Sequence, residues 1–146
     1  MKIFIVDDSA AIRERLRDAL ESLPNVEFTG EADNENEALE KISRNPPDVV
    51  ILDFTSAKGN SLSLMQRIKL QSLESRVIVL TNNIYPQYRK KCMEEGADYF
   101  MDKSRDIDEL LRLLSELANV ENGTERAGKE LQPIEDGPGY LRNFES

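Results

Sequence analysis

With 146 residues, one cysteine, no histidine and a formal net charge of −9, the chain is long enough for one domain with its own core and too acidic for a primary role on nucleic acid, whose phosphates need a basic face. A single cysteine excludes an internal disulfide, and the lack of histidine excludes His-ligated metal sites, Ser-His and Cys-His nucleophile pairs and a histidine phosphodonor within the chain. The first apolar run is cut short by two aspartates and no later stretch approaches the roughly 18 residues of a membrane span, so a cytoplasmic protein without membrane insertion is expected.

Ile3-Phe4-Ile5-Val6 ends in Asp7-Asp8 and reads as a strand buried on both faces. Ile12, Leu16, Ala19, Leu20 and Leu23 then recur at helical spacing, and Pro24 stops that helix. Val26, Phe28, Gly30 and Ala32 alternate as a second strand, and Ala38, Leu39 and Ile42 mark a short helix closed by Asn45-Pro46-Pro47. Val49-Val50-Ile51-Leu52 is a third strand ending in Asp53. Leu62, Met65, Ile68 and Lys69 give a third helix, and Val77-Ile78-Val79-Leu80 a fourth strand ending in Thr81. Pro86 suits the first turn of a fourth helix, and Gly96 caps its end. Tyr99 to Asp102 form a fifth strand, followed at once by Lys103. Asp106-Ile107-Asp108-Glu109 looks like a capping-box-type start to a last helix, with Leu110, Leu111, Leu114, Leu117 and Ala118 as its apolar stripe. The order is (βα)5, so the expected fold is α/β, a doubly wound five-stranded parallel sheet of the flavodoxin-like kind. The expected domain covers 1–118. Residues 119–146 are expected to be a flexible tail, since Asn, Gly, Glu and Pro dominate there; Tyr140, Leu141 and Phe144 offer the alternative of a docking segment.

In open α/β sheets the functional crevice lies outside the carboxyl ends of the strands. Asp7, Asp8, Asp53, Thr81 and Lys103 all fall at such ends and should meet at one edge. Clustered carboxylates raise each other's pKa or demand a cation, and oxygen ligands with several waters suit Mg²⁺. Lys103 can neutralise a carboxylate at rest or pair with a phosphoryl oxygen, and Thr81 can donate its hydroxyl to another. Asp53, alone on its strand, is then the natural carboxylate nucleophile for an aspartyl phosphate. Cys92 reads as core filler. Arg89-Lys90-Lys91 is a basic cluster on an acidic chain, either a solvated helix face or a docking patch.

At these residues the chain resembles the receiver domain of two-component response regulators, over roughly residues 2 to 118. The motifs are Asp7-Asp8, Asp53, Thr81 in Val-Leu-Thr, and the run Gly96-Ala97-Asp98-Tyr99-Phe100-Met101-Asp102-Lys103. The resemblance implies that Asp53 takes a phosphoryl group from a phosphohistidine on a partner, a histidine kinase or histidine phosphotransfer protein. It implies that Asp8, Asp53 and the Thr55 carbonyl ligate Mg²⁺, with Asp7 acting largely through water. It implies Thr81 and Phe100 as a switch pair, and Phe100 is expected to turn inward on phosphorylation and reshape a surface for a downstream protein. Arg89, Lys90 and Lys91, basic on an acidic chain, are the candidate docking charges, and a homodimer is left open. Such a chain is a stand-alone signalling protein rather than an enzyme on other substrates, catalysing only its own phosphorylation and dephosphorylation.

Several positions depart from the family pattern. Ser56-Ala57 and Ser61 replace a Met-Pro pair and a glycine in the loop after Asp53. Asn82 replaces a small residue, and Thr55 and Asn83 sit where phosphoryl lifetime is tuned. Ser104 replaces the frequent proline after the lysine, and this Lys-Ser version is similar to nitrate-response-type receivers. The alternative function is a phosphorylation-independent interaction module of the same fold. A flavin or nucleotide binder would need a phosphate cradle where Asp7-Asp8-Ser9-Ala10 stands. A metal-dependent phosphatase would need two aspartates spaced two apart.

Overall fold

A strand that is apolar on both faces must be covered on both, and the chain does this by laying helices on either side of one sheet. The computed structural model describes residues 1–53, 61–71, 74–121 and 141–142. In chain order the elements are β1 (Lys2–Asp7), α1 (Ala10–Leu20), β2 (Glu27–Ala32), α2 (Glu35–Arg44), β3 (Val49–Asp53), α3 (Ser61–Gln71), β4 (Arg76–Thr81), α4 (Pro86–Glu94), β5 (Tyr99–Asp102), α5 (Ile107–Glu121) and β6 (Leu141–Arg142). The sheet order is β2-β1-β3-β4-β5-β6. The first five strands are parallel, as expected, and β6 adds antiparallel to β5. The last helix runs to Glu121, three residues beyond the expected domain limit of 118. Thr55 and the rest of 54–60, and Tyr140 and Phe144 in the tail, lie outside the described residues.

Local chemistry explains the helix ends. Ser9 caps α1, its hydroxyl accepting from the Ile12 N–H at 3.3 Å, and Asn34 caps α2 by accepting from Glu37 N–H at 2.9 Å. Pro86 opens α4, and Gly96 follows it with φ +122°, a conformation that a side chain would strain.

Alternation along the strands divides the core in two. Phe4, Val6, Val50, Leu52, Val77, Val79 and Phe100 pack with residues of α2, α3 and α4. Ile3, Ile5, Val49, Ile51, Ile78, Leu80, Tyr99 and Met101 pack with α1 and α5. Continued one step, the same alternation sets Asp7 and Asp53 in phase with the α1/α5 side, and Thr81 in phase with the α3/α4 side.

Strand β2 breaks the expected pattern. Val26 and Phe28 pack on the α1/α5 cluster, whereas Ala32 belongs to the other. The cause is a register shift: Ile3 pairs with Phe28 but Phe4 pairs with Gly30, so Thr29 is an extra residue. Its hydroxyl donates to the Ile3 carbonyl at 3.2 Å. Glycine at 30 follows from close approach, since a Cβ there would stand 2.9 Å from the Phe4 ring.

Candidate functional site

β1 and β3 are neighbours, and their register sets Asp7 directly beside Asp53. Each is the last residue of its strand, so both carboxylates lie at the carboxyl edge of the sheet. A one-residue slip of either strand would send its acid to the opposite face. Asp53 is 1 % exposed and Asp7 2 %; Asp8 is half-buried. Lys103, just past β5, reaches across to both. Its Nζ is 2.6 Å from Asp53 Oδ2 and 2.9 Å from Asp7 Oδ2. Asp7, Asp53 and Lys103 are thus together at the carboxyl edge.

Neighbouring bonds hold this geometry. The Ser9 N–H donates to Asp7 Oδ1 at 2.8 Å, and the Arg13 guanidinium donates to the Asp7 carbonyl at 2.6 Å. Arg13 is oriented in turn by Glu31 at 3.4 Å, which also pairs with Arg17 at 2.8 Å. On the lysine side, the Lys103 N–H donates to the Thr81 carbonyl at 2.9 Å. Asp102 Oδ1 accepts from the Ser104 N–H at 2.9 Å and from the Ser104 hydroxyl at 2.7 Å, while Asp106 Oδ2 accepts from the Asp102 N–H at 2.9 Å. Asp102 and Asp106 are both buried. Ser104 thus anchors the turn, and no cis peptide occurs among the described residues.

One cation facing two buried acids leaves each acid with half a partner. Burial pushes the Asp53 carboxyl up to about 6; Lys103 and the Thr81 hydroxyl pull it back, and the Asp7 charge adds to the rise. Lys103 is shifted the other way relative to burial. Desolvation alone would lower it, but the two carboxylates together raise it above the ordinary lysine value. The ammonium is well served and Asp53 is not. Among the described residues no hydrogen bond of good geometry reaches the buried Asp53 Oδ1, which leaves it able to take another ligand. Among the described residues no three acids are disposed around a metal position, and Thr55 is not described. The donor set of carboxylate oxygens, Asp53 Oδ1 among them, nonetheless fits a hard divalent cation such as Mg²⁺.

Thr81 ends β4, fully buried, with its Oγ1 accepting from the Asn83 N–H at 3.0 Å. Asn82 is exposed beside it. Phe100 is also fully buried. It meets the Tyr88 ring edge-on at 5.9 Å and lies under the Arg89 guanidinium at 5.6 Å. An inward turn of Phe100 on phosphorylation requires an outward start, and the structure places the ring inward already. The ring has no hydroxyl to hydrate, so burial and its contacts with Tyr88 and Arg89 favour the inward position. The basic cluster also divides. Lys90 and Lys91 are exposed, Lys91 facing Glu95 at 3.6 Å, whereas Arg89 is half-buried over Phe100 with its Nε inaccessible.

Sequence reasoning missed the Asp102-Ser104-Asp106 network, the Arg13 brace and the ion pair of Lys69 with Asp98 at 2.8 Å, which ties α3 to the start of β5. Asp102 and Asp106 stand four apart astride Ser104, a spacing that could have suggested mutual bonding. Lys69 was readable only as the edge of an apolar stripe.

The sequence profile of the response regulator receiver domain matches residues 3–115. A protein-glutamate methylesterase/protein-glutamine glutaminase of Carboxydothermus hydrogenoformans is 35% identical over 122 residues, covering 82% of this chain and 35% of that protein. The nitrate/nitrite response regulator protein NarL of Escherichia coli K12 is 24% identical over 116 residues, covering 80% of this chain and 54% of its own. The chain thus spans about a third to about half the length of these curated relatives. Among solved structures, a DNA-binding response regulator of the LuxR family from Staphylococcus aureus superposes with a TM-score of 0.72 at 25% identity, covering 81% of this chain and 98% of that one.

Proposed function

The chain belongs to the response regulator receiver family of two-component systems, and we propose that within it Asp53 is the phosphoacceptor. The observation that carries this reading is the Asp53 carboxylate itself: buried, beside Asp7, paired with Lys103, and with no well-formed hydrogen bond to Oδ1 among the described residues. Its Oδ1 has the freedom to attack phosphorus. The P–N bond of a partner's phosphohistidine breaks as the new P–O bond forms, and the leaving imidazole takes up a proton. Lys103 moves its charge from the carboxylate to a phosphoryl oxygen, and Thr81 turns its hydroxyl towards another. Asp8, Asp53 and the Thr55 carbonyl would hold Mg²⁺, with Asp7 assisting through water. That ion, when bound, would neutralise charge developing on the phosphoryl oxygens.

In this reading the donor is a histidine kinase or histidine phosphotransfer protein, since the chain has no histidine of its own. The output is a changed surface around α4 and β5 presented to another protein, and the setting is the cytoplasm. Among the described residues no helix is long and apolar enough to cross a membrane.

Acetyl phosphate with Mg²⁺ tests the assignment by intact mass. Wild type should gain one phosphoryl group and Asp53→Asn none. Equal labelling of the variant would move the site elsewhere, and no labelling of either would favour the interaction-module reading.

A further inference from the structure

The outer edge of β5 is the place where the sheet meets something other than its own parallel core. Arg142 stands opposite Tyr99 and Leu141 opposite Phe100, in antiparallel register. Which backbone groups face outward follows from the inner side. The Asp98 N–H donates to the Val77 carbonyl on β4 at 2.8 Å. Successive residues of a strand direct their backbone groups to opposite sides, so Tyr99 directs its N–H and C=O away from β4, towards Arg142. Residues opposite each other in an antiparallel pair can exchange both bonds.

The two edges of the sheet are protected differently. β2 carries Glu27, Glu31, Gly30 and a bulge, all of which discourage a further strand. β5 is Tyr99-Phe100-Met101-Asp102, without proline, bulge or charge until its last residue. Left bare, such an edge is a template for any extended chain. Among the described residues the pairing that covers it is two residues long, so few backbone bonds oppose its displacement. Reach is no obstacle. Nineteen residues, 122–140, separate α5 from β6. At up to about 3.3 Å each they exceed several-fold the roughly 22 Å length of α5.

We propose that the outer edge of β5 is a docking site for an extended peptide strand, and that residues 141–142 of this chain occupy it in cis, so that a partner strand gains the edge only by displacing them. The site lies between α4 and α5, on the strand that holds Phe100. The inference rests on backbone pairing alone and stands or falls without any phosphoryl chemistry.

Amide exchange followed by NMR on the full chain, without phosphodonor or metal, tests it. Arg142→Pro removes the N–H opposite Tyr99, while Arg142→Ala keeps it. The Tyr99 amide should exchange at least about tenfold faster in Arg142→Pro than in wild type and be unchanged in Arg142→Ala. The Phe100 amide, which faces β4, should keep its protection in all three. Wild-type protection at Tyr99 should not depend on protein concentration. A fluorescent peptide of residues 138–146 should bind Arg142→Pro at least about tenfold more tightly than wild type. Equal Tyr99 exchange in wild type and Arg142→Pro would overturn the proposal. So would protection that rises with concentration, which would mean a strand from a second copy, or peptide binding that is equal in both proteins or absent from both. Loss of Phe100 protection in Arg142→Pro would also overturn it, by making β6 integral to the sheet rather than a displaceable cover.

Discussion

Replacing Asp53 by asparagine keeps the shape of the side chain and deletes its charge, so it isolates the cost of burying that charge. The folded carboxyl titrates at about 6 against an ordinary value of 3.8. Between those values the folded protein holds a proton that the unfolded chain has released, so wild-type stability falls as pH rises through this window. Below about pH 4 the carboxyl is neutral in both states and costs nothing; above about pH 7 the penalty is complete. Roughly two pH units at about 1.36 kcal/mol each gives a penalty on the order of 3 kcal/mol. With Asp53 1 % exposed, solvent screens little of it. Asparagine does not titrate. The metal-free variant should therefore exceed wild type by on the order of 3 kcal/mol near pH 8, about 10 °C in melting temperature, and by almost nothing near pH 4. Thermal melts of both proteins in chelator across that range would measure the difference, in which carboxylates remote from Asp53 cancel. A gap that is the same at every pH, or a wild type that is the more stable near pH 8, would refute the reasoning; the second would mean that the Lys103 pair outweighs the burial of the charge.

Millimolar Mg²⁺ should raise the wild-type melting temperature by mass action and leave Asp8→Asn unmoved; an unresponsive wild type would count against the acids as a metal site. Cys92 is buried, and burial pushes its thiol up to about 11 despite a favourable contact with Tyr88. A thiolate-directed reagent near neutral pH should leave it intact in buffer and modify it in denaturant, whereas rapid native labelling would mean that α4 opens. Gly30→Ala should cost about 1–3 kcal/mol in urea unfolding, because its methyl meets the buried Phe4 ring at 2.9 Å. A silent substitution there would show that β2 is free to withdraw from β1.

The parallel strands were legible because being buried on both faces forces unbroken apolar runs, and Val49 to Leu52 or Val77 to Leu80 admit few other readings. Asp53 and Lys103 were legible for a related reason: an ionisable residue that ends such a run has nowhere to point but the carboxyl edge. The second strand was legible but its bulge was not, because Val26, Phe28, Gly30 and Ala32 keep a period of two in sequence while the extra residue Thr29 breaks it in space. The turn after Lys103 hid its logic. Asp102, Ser104, Arg105 and Asp106 have the composition of any strand-to-helix connection, and only the folded chain shows the Asp106 carboxylate reaching back to the Asp102 N–H rather than forward into α5. Phe100 could be placed in sequence but not in depth, since an aromatic at that position serves equally as core or as a hinged ring. The pairing of Leu141 and Arg142 leaves almost no trace in sequence, because two residues are too few to set up an alternation.

The split core has a consequence for how such a molecule can change. The sheet acts as a bulkhead: side chains under α1 and α5 do not touch those under α3 and α4, so substitutions that repack one layer need no answering substitutions in the other. The layers communicate where the strands end, at the bond from the Lys103 N–H to the Thr81 carbonyl, which joins a residue reaching for the acids to one in phase with Phe100. A lineage can therefore redraw the α1/α5 exterior while inheriting the α4 side unchanged, or the reverse, provided that the contacts at these strand ends are kept.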